Sequence, residues 1–165
     1  MFNKNLVAGC MVDFKVDISR ATPDDLREIL AIQRLAYTRE ARLYDDFQIP
    51  PLIETLEDLK KKFANYTFLK ATTDGKIIGT VRVQQEGNTC HIGRLAVHPD
   101  FQNQGVATKL LMEVERSFPT CGRFELFTGD RSFRSIRLYK KLGYKRFKTE
   151  QPANNVNLVY LEKTR

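Results

Sequence analysis

From residue 95 to 108 the chain reads Leu95-Ala96-Val97-His98-Pro99-Asp100-Phe101-Gln102-Asn103-Gln104-Gly105-Val106-Ala107-Thr108. An apolar, strand-like run ends, a polar loop follows, and a helical pattern starts at a glycine. The first turn of a helix has unpaired N–H groups and a partial positive charge, so such a junction can hold a phosphate. Gly105 lets an anion come close to the backbone, and Ala107 is small for the same reason or for packing of helix on sheet. Gln102, Asn103 and Gln104 can add amide donors, and Thr108 a hydroxyl. The same residues also suit an ordinary helix start. No Gly-Lys-Ser/Thr follows, and no G-x-G-x-x-G, so neither the P-loop nor the dinucleotide fingerprint applies.

A second chemical feature is charge. Residues 131–148 contain Arg131, Arg134, Arg137, Lys140, Lys141, Lys145, Arg146 and Lys148 and no acid. Such a run is either a solvated face or an anion site. It lies in the half of the chain that holds the whole basic excess. Residues 1–100 have 14 basic and 14 acidic side chains, and residues 101–165 have 13 and 6. The formal charge of +7 on 165 residues therefore points to an anionic partner served by the second half.

These features need elements to position them. Phe14–Arg20 alternates as a short strand. Thr22-Pro23-Asp24-Asp25 opens a helix, with Thr22 as cap, Pro23 at the first helical position and acids at the positive end of the dipole. Leu26, Ile29, Leu30 and Ala36 recur at helical spacing. Pro50-Pro51 breaks the chain, and Thr55 opens a second helix with Leu56, Leu59 and Phe63 on its buried stripe. Strands are expected at Tyr66–Thr72, Lys76–Gln84 and Thr89–Val97, with turns at Asp74-Gly75 and Glu86-Gly87-Asn88. A helix follows from about Gln104 to Phe118. Then come a strand at Arg123–Thr128, a helix capped by Ser132 and ended after Leu142 by Gly143, and closing strands at Tyr144–Glu150 and Val156–Glu162. Helices and strands thus mix in one α/β domain around a central, mostly antiparallel sheet with a βαβ crossover. Residues 1–12 are expected to be a loose extension, with Met1 or Met11 as the working start, and residues 13–165 the domain.

Composition excludes several classes. At 42% hydrophobic and 28% charged, the chain is neither disordered nor fibrous. No apolar run has the length of a membrane span. Val7-Ala8-Gly9-Cys10 has the look of a lipoprotein cleavage box, but no apolar stretch precedes it. Cys10, Cys90 and Cys121 have neither metal-type nor CxxC spacing, and their odd number argues against a disulfide framework. The expectation is a cytoplasmic protein without a metal.

Two motifs stand in order. Arg94-Leu95-Ala96-Val97 with Gln102-Asn103-Gln104-Gly105-Val106-Ala107 resembles the Q/R-x-x-G-x-G/A loop of the GNAT superfamily of acyl-CoA N-acyltransferases. Leu138-Tyr139-Lys140-Lys141-Leu142-Gly143-Tyr144 resembles its L-Y-x-x-x-G-F/Y signature. The element order from about residue 14 to 162 also resembles that fold, which implies a sheet of six to seven strands with a splayed parallel pair and about four helices. The resemblance implies acetyl-CoA as co-substrate, lying between the strands at 89–97 and 123–128. Backbone groups of Leu95, Ala96 and Val97 would pair with its pantetheine arm. N–H groups from Asn103 to Thr108, Val106 among them, would hold its pyrophosphate.

It implies chemistry as well. An amine must be neutral to attack a thioester, so a base or a water chain must remove its proton. The oxyanion needs a donor, which the family supplies as a strand N–H, here near Val97. Tyr139 matches the family tyrosine that protonates the leaving thiolate, although its spacing also suits a packed helix residue. The base is open between His91, Glu86 and water. His91 has a suitable unperturbed pKa, and strand alternation places 91, 93, 95 and 97 on one face. His98 reads as structural. Ser132 stands where many members carry a cofactor-binding Asn, and Ala107 stands where many carry Gly.

The acceptor is expected near the connection Arg42–Glu54, where Tyr44, Asp45, Asp46, Phe47, Pro50 and Pro51 place carboxylates beside aromatics. That connection is equally an acidic, solvated loop. A polyamine, an amino acid, an aminoglycoside and a protein amine are all open as acceptor, with a small-molecule amine favoured, and a homodimer accords with the family. Two other classes compete: a non-catalytic CoA-binding sensor, and a nucleic-acid binder using the basic run. No nucleic-acid motif accompanies that run, so neither nucleic acid nor membrane is expected as a partner.

Overall fold

The computed structural model describes residues 14–152 and 156–165. The expected extension and both candidate start methionines lie outside the described residues. Strand β1 (Asp17–Arg20) leads through a 3₁₀ turn at Pro23–Asp25 into α1 (Leu26–Tyr44). Thr22 and Asp25 form a capping box there, the Asp25 carboxylate accepting the Thr22 N–H at 2.7 Å. A one-turn helix α2 (Pro50–Ile53) and then α3 (Leu56–Phe63) follow. The pair Pro50-Pro51 thus starts a helical turn where a break was expected, because proline suits the first two helical positions. Among the described residues the α-helices therefore number five.

A meander of β2 (Thr67–Thr73), β3 (Lys76–Glu86) and β4 (Thr89–Val97) comes next, then α4 (Val106–Ser117), β5 (Arg123–Gly129), α5 (Phe133–Lys141), β6 (Lys145–Glu150) and β7 (Leu158–Thr164). One seven-stranded sheet runs in the order β1-β2-β3-β4-β5-β7-β6, antiparallel except at β4–β5. The mixed α/β fold expected from the element order is the fold observed.

The sheet has a core on each face. On one, Val106, Leu110, Leu111 and Val114 of α4 pack on Leu69, Ile78, Val81, Cys90 and Ile92. On the other, Leu26, Ile29 and Leu30 of α1 and Leu59 of α3 pack on Phe68, Ile77 and Ala96. Gly79 brings α4 close to β3: a Cβ there would lie 3.0 Å from Val106 Cγ1 and 3.3 Å from the Ala96 carbonyl.

Two irregularities in β4 shape the site. Its pairing with β5 lasts from Thr89↔Arg123 to His91↔Glu125 and then stops, so the strands part beyond His91. Against β3, Arg82 faces Gly93 but Thr80 faces Ala96, so β4 holds one residue more. That bulge falls at Arg94, whose φ is +51°. The bulge corrects one expectation. Residues 91, 93, 95 and 97 do not share a face: Leu95 and Val97 join Cys90 and Ile92 on the α4 side, while His91 and Gly93 lie opposite Gln84 and Arg82.

Candidate active site

Where β4 and β5 separate, the backbone of β4 has an open edge. The His98 N–H donates to the Ile78 carbonyl of β3 at 2.8 Å. Backbone groups alternate along a strand, so the Val97 N–H and C=O turn away from β3, toward the gap. The Val97 carbonyl accepts the Gln102 side-chain amide at 3.0 Å, which leaves its N–H as the donor on that edge.

The loop after β4 is built for close approach. His98 Nδ1 accepts the Asp100 N–H at 3.1 Å and its ring packs edge-on against Phe101, in keeping with a structural histidine. Asn103 and Gly105 have φ of +60° and +83°. Gly105 is the N-cap of α4 and no side chain caps it. The first helical bond runs from Lys109 N to Gly105 O at 3.0 Å, so the N–H groups of Val106, Ala107 and Thr108 have no acceptor within the helix. Nothing lies within 4 Å of where a Gly105 Cβ would stand. This concave, donor-rich helix start fits a pyrophosphate, and the open β4 edge fits an amide-bearing arm.

Several expected contacts change. The Gln102 and Gln104 amides serve the loop itself, Gln104 Nε2 donating to the Asp100 carbonyl at 3.3 Å. Those two amides are engaged within the loop, whereas the first-turn N–H groups of α4 have no side-chain cap. Ser132 does not cap α5; it is 3% exposed and its hydroxyl bonds the Glu40 carboxylate. The hydroxyl thus fastens α5 to α1.

Tyr139 comes from α5 and is 7% exposed, its ring 6.2 Å from Tyr144. Burial, with Tyr37 and Glu40 adding to it, pushes its phenol well above the ordinary tyrosine range. The group stays protonated. His91 lies at the last paired position of β4, with Nε2 3.5 Å from Glu86 Oε2 and a side chain 39% exposed.

The structure adds Gln33, Tyr37 and Glu40, which sequence reading missed. With Tyr44, already a candidate, they recur on α1 at spacings that line up one face. Gln33 is 1% exposed and donates to Glu54 at 2.8 Å. Glu40 holds Ser132. The Tyr44 hydroxyl donates to Asp130 at 3.0 Å and accepts the Arg131 N–H at 2.7 Å. Burial raises the Tyr37 phenol, which senses Arg94 and Arg82 as well as Glu40. Helical spacing alone was the available signal, and it was masked by the apolar stripe beside it.

At the upper end of this stripe sits Glu54, 5% exposed. It accepts Lys62 Nζ at 2.5 Å and Arg82 Nη1 at 2.8 Å, and faces Arg94 Nε at 3.5 Å. Burial pulls its pKa up, but the bonds from Lys62, Gln33 and Arg82 win and hold it at about 2. The acidic connection before it spends part of its polarity on local structure. Asp45 closes α1 at φ +48°, and Asp46 accepts the Gln48 N–H at 2.8 Å.

The described residues contain no group of three or more His, Cys, Asp or Glu placed to hold a metal, and no helix among them is long and apolar enough to cross a membrane. Cys90 and Cys121 are both buried thiols.

Comparison with known proteins agrees with this geometry. The fold is similar to the ribosomal-protein-S18-alanine N-acetyltransferase of Escherichia coli, at TM-score 0.76 and 17% identity over 91% of this chain and 94% of that one. It is also similar to the PaiA N-acetyltransferase of Thermoplasma acidophilum in complex with coenzyme A, at TM-score 0.70 and 17% identity over 92% and 99%. A third is yncA of Salmonella typhimurium, solved with its cofactor acetyl-CoA, at TM-score 0.73 and 19% identity over 90% and 93%. In sequence, the UPF0157 protein YqkA of Bacillus subtilis (strain 168) is 30% identical over 135 residues; the match covers 80% of this chain but only 38% of that protein. The profile described as the acetyltransferase (GNAT) family matches residues 26–144, which include α1, the bulged β4, the loop to α4 and the tyrosine of α5, and the chain belongs to that family.

Proposed function

We propose that this chain is an acetyl-CoA-dependent N-acetyltransferase acting on the primary amine of a small molecule, with Tyr139 as general acid. The observation that carries the proposal is the gap between β4 and β5: it runs from His91 to an uncapped helix start, and a buried, protonated phenol stands on the neighbouring α5. Bound there, acetyl-CoA supplies the acetyl group as a thioester.

The roles divide among the chain's own groups. The first-turn N–H groups of Val106, Ala107 and Thr108, with the approach that Gly105 permits, hold phosphate oxygens. The Val97 N–H donates to the thioester oxygen where negative charge collects. His91, directly or through water, accepts the proton that the amine loses as its nitrogen bonds to the acetyl carbon. The C–S bond then breaks, and the Tyr139 O–H supplies a proton to the sulfur. The proton taken from the amine goes to solvent, and the phenol is reprotonated from solvent, so protons balance over the cycle.

The test is thiol release from acetyl-CoA across a panel of primary amines. Tyr139→Phe is expected to lower kcat by roughly 10²-fold with the KM for acetyl-CoA little changed. Unchanged turnover would remove Tyr139 from the mechanism. Tight acetyl-CoA binding with no turnover on any amine would leave a CoA-binding module instead.

A further inference from the structure

We infer that the acceptor carries a carboxylate next to its amine, and that Arg94 binds it; the substrate class is a small amino acid. The inference rests on the acetyl-transfer reading for its position beside the reacting atoms.

Charge balance is the first argument. Lys62, Arg82 and Arg94 gather around the single carboxylate of Glu54. The side chains of Arg82 and Arg94 are 8% and 18% exposed. Charges removed from water require partners. Arg34 adds a further cation, donating to the Glu54 backbone carbonyl at 3.0 Å. Glu40, which also borders Tyr37, is engaged by Ser132. The cluster thus lacks anions.

The second argument is which cation is unsatisfied. Both oxygens of Glu54 are occupied, one by Lys62 and Arg82 and the other by Gln33. Arg94 Nε, 3.5 Å from that second oxygen, is the one side-chain nitrogen or oxygen among the described residues that is buried without a hydrogen-bond partner. A guanidinium presents its N–H groups as a rigid fork that matches a carboxylate.

The third argument is placement. Arg94 occupies the bulge of β4 at φ +51°. A non-glycine residue in that region costs energy and is kept where the surrounding structure demands it. The bulge turns Arg94 toward Glu54, on the edge of β4 that opens beyond His91, where pairing with β5 has stopped. An α-amino acid bound by Arg94 would hold its nitrogen within a few bonds of that edge. A polyamine would bring positive charge to a positive site, and is disfavoured.

The experiment compares each proteinogenic L-amino acid with its decarboxylated amine, by thiol release, in wild type, Arg94→Gln and Arg94→Lys. In wild type the amino acid is expected to exceed its amine in kcat/KM by about 10- to 100-fold, the range for a charge-assisted hydrogen bond. R94Q should abolish that preference through a higher KM for the amino acid, and R94K should retain part of it. A structural role would lower both members of each pair together, and that result overturns the inference. So does a wild-type ratio near one, or acetylation of peptides alone. If no acceptor is turned over, the acetyl-transfer reading fails and the inference is judged by calorimetry on CoA-saturated protein. Amino-acid binding that R94Q removes supports it, and no binding of any amino acid overturns it.

Discussion

Tyr139 keeps its proton across the range in which an amine acceptor loses its own. Burial raises the phenol well above its ordinary 10, whereas an alkylammonium titrates at about 10. Rising pH therefore frees more acceptor without removing the acid. The kcat/KM profile is expected to climb from about pH 6 and to show no alkaline fall below about pH 10. Tyr139→Phe should lower the whole curve and leave its shape. An alkaline limb below about pH 9 that vanishes in Tyr139→Phe would contradict this assignment. At this scale the sequence was legible where chemistry is written in a motif, as in Gly105 and Tyr139. It was not legible where geometry decides. Nothing in an arginine marks it for φ +51°, and the one-residue bulge at Arg94 shifted every later side chain of β4 to the other face.

Between elements, Glu54 acts as a knot. It follows α2 and receives Gln33 of α1, Lys62 of α3 and Arg82 of β3, with Arg94 of β4 alongside. Its folded pKa, about 2, lies below the ordinary 4.5. For a carboxyl with a depressed pKa, the stabilisation is complete above the unfolded value and is lost as pH falls through the folded one. The pairing should therefore weaken from about pH 4.5 down to about 2. Glu54→Gln leaves the cations uncompensated and is expected to destabilise the fold by about 3 kcal/mol at neutral pH. Urea melts of both proteins at stepped pH measure this directly: the difference should narrow only below about pH 4.5, and a constant difference would exclude an ionised Glu54 as the cause. Most strands and helices were readable from periodicity and caps. The knot was not, because its members come from four elements and meet only after the chain folds.

Across the whole molecule, the +7 charge is sorted by the fold into two kinds. Part of the basic run is structural. Arg131 stacks over Tyr44 at 5.5 Å and donates to the Leu43 carbonyl at 3.4 Å, and Lys148 pairs with Glu150 at 2.6 Å. Arg134, Arg137, Lys140 and Lys141 are exposed on α5, and none of the ion pairs among the described residues includes them. Unpaired surface charge of one sign steers an anion but does not fix its position. CoA ends in phosphates, so these cations are expected to act on its capture rather than on chemistry. Replacing Arg134, Arg137 and Lys140 by Gln should slow acetyl-CoA association several-fold at low ionic strength and flatten its salt dependence, with kcat unchanged. The Debye length shrinks from about 30 Å at 0.01 M salt to about 8 Å at 0.15 M, so the two proteins should converge as salt rises. Stopped-flow association at stepped salt separates the cases. Parallel salt curves for the triple variant and wild type would make the α5 cations a solvated face, and a fall in kcat would place them in the chemistry instead.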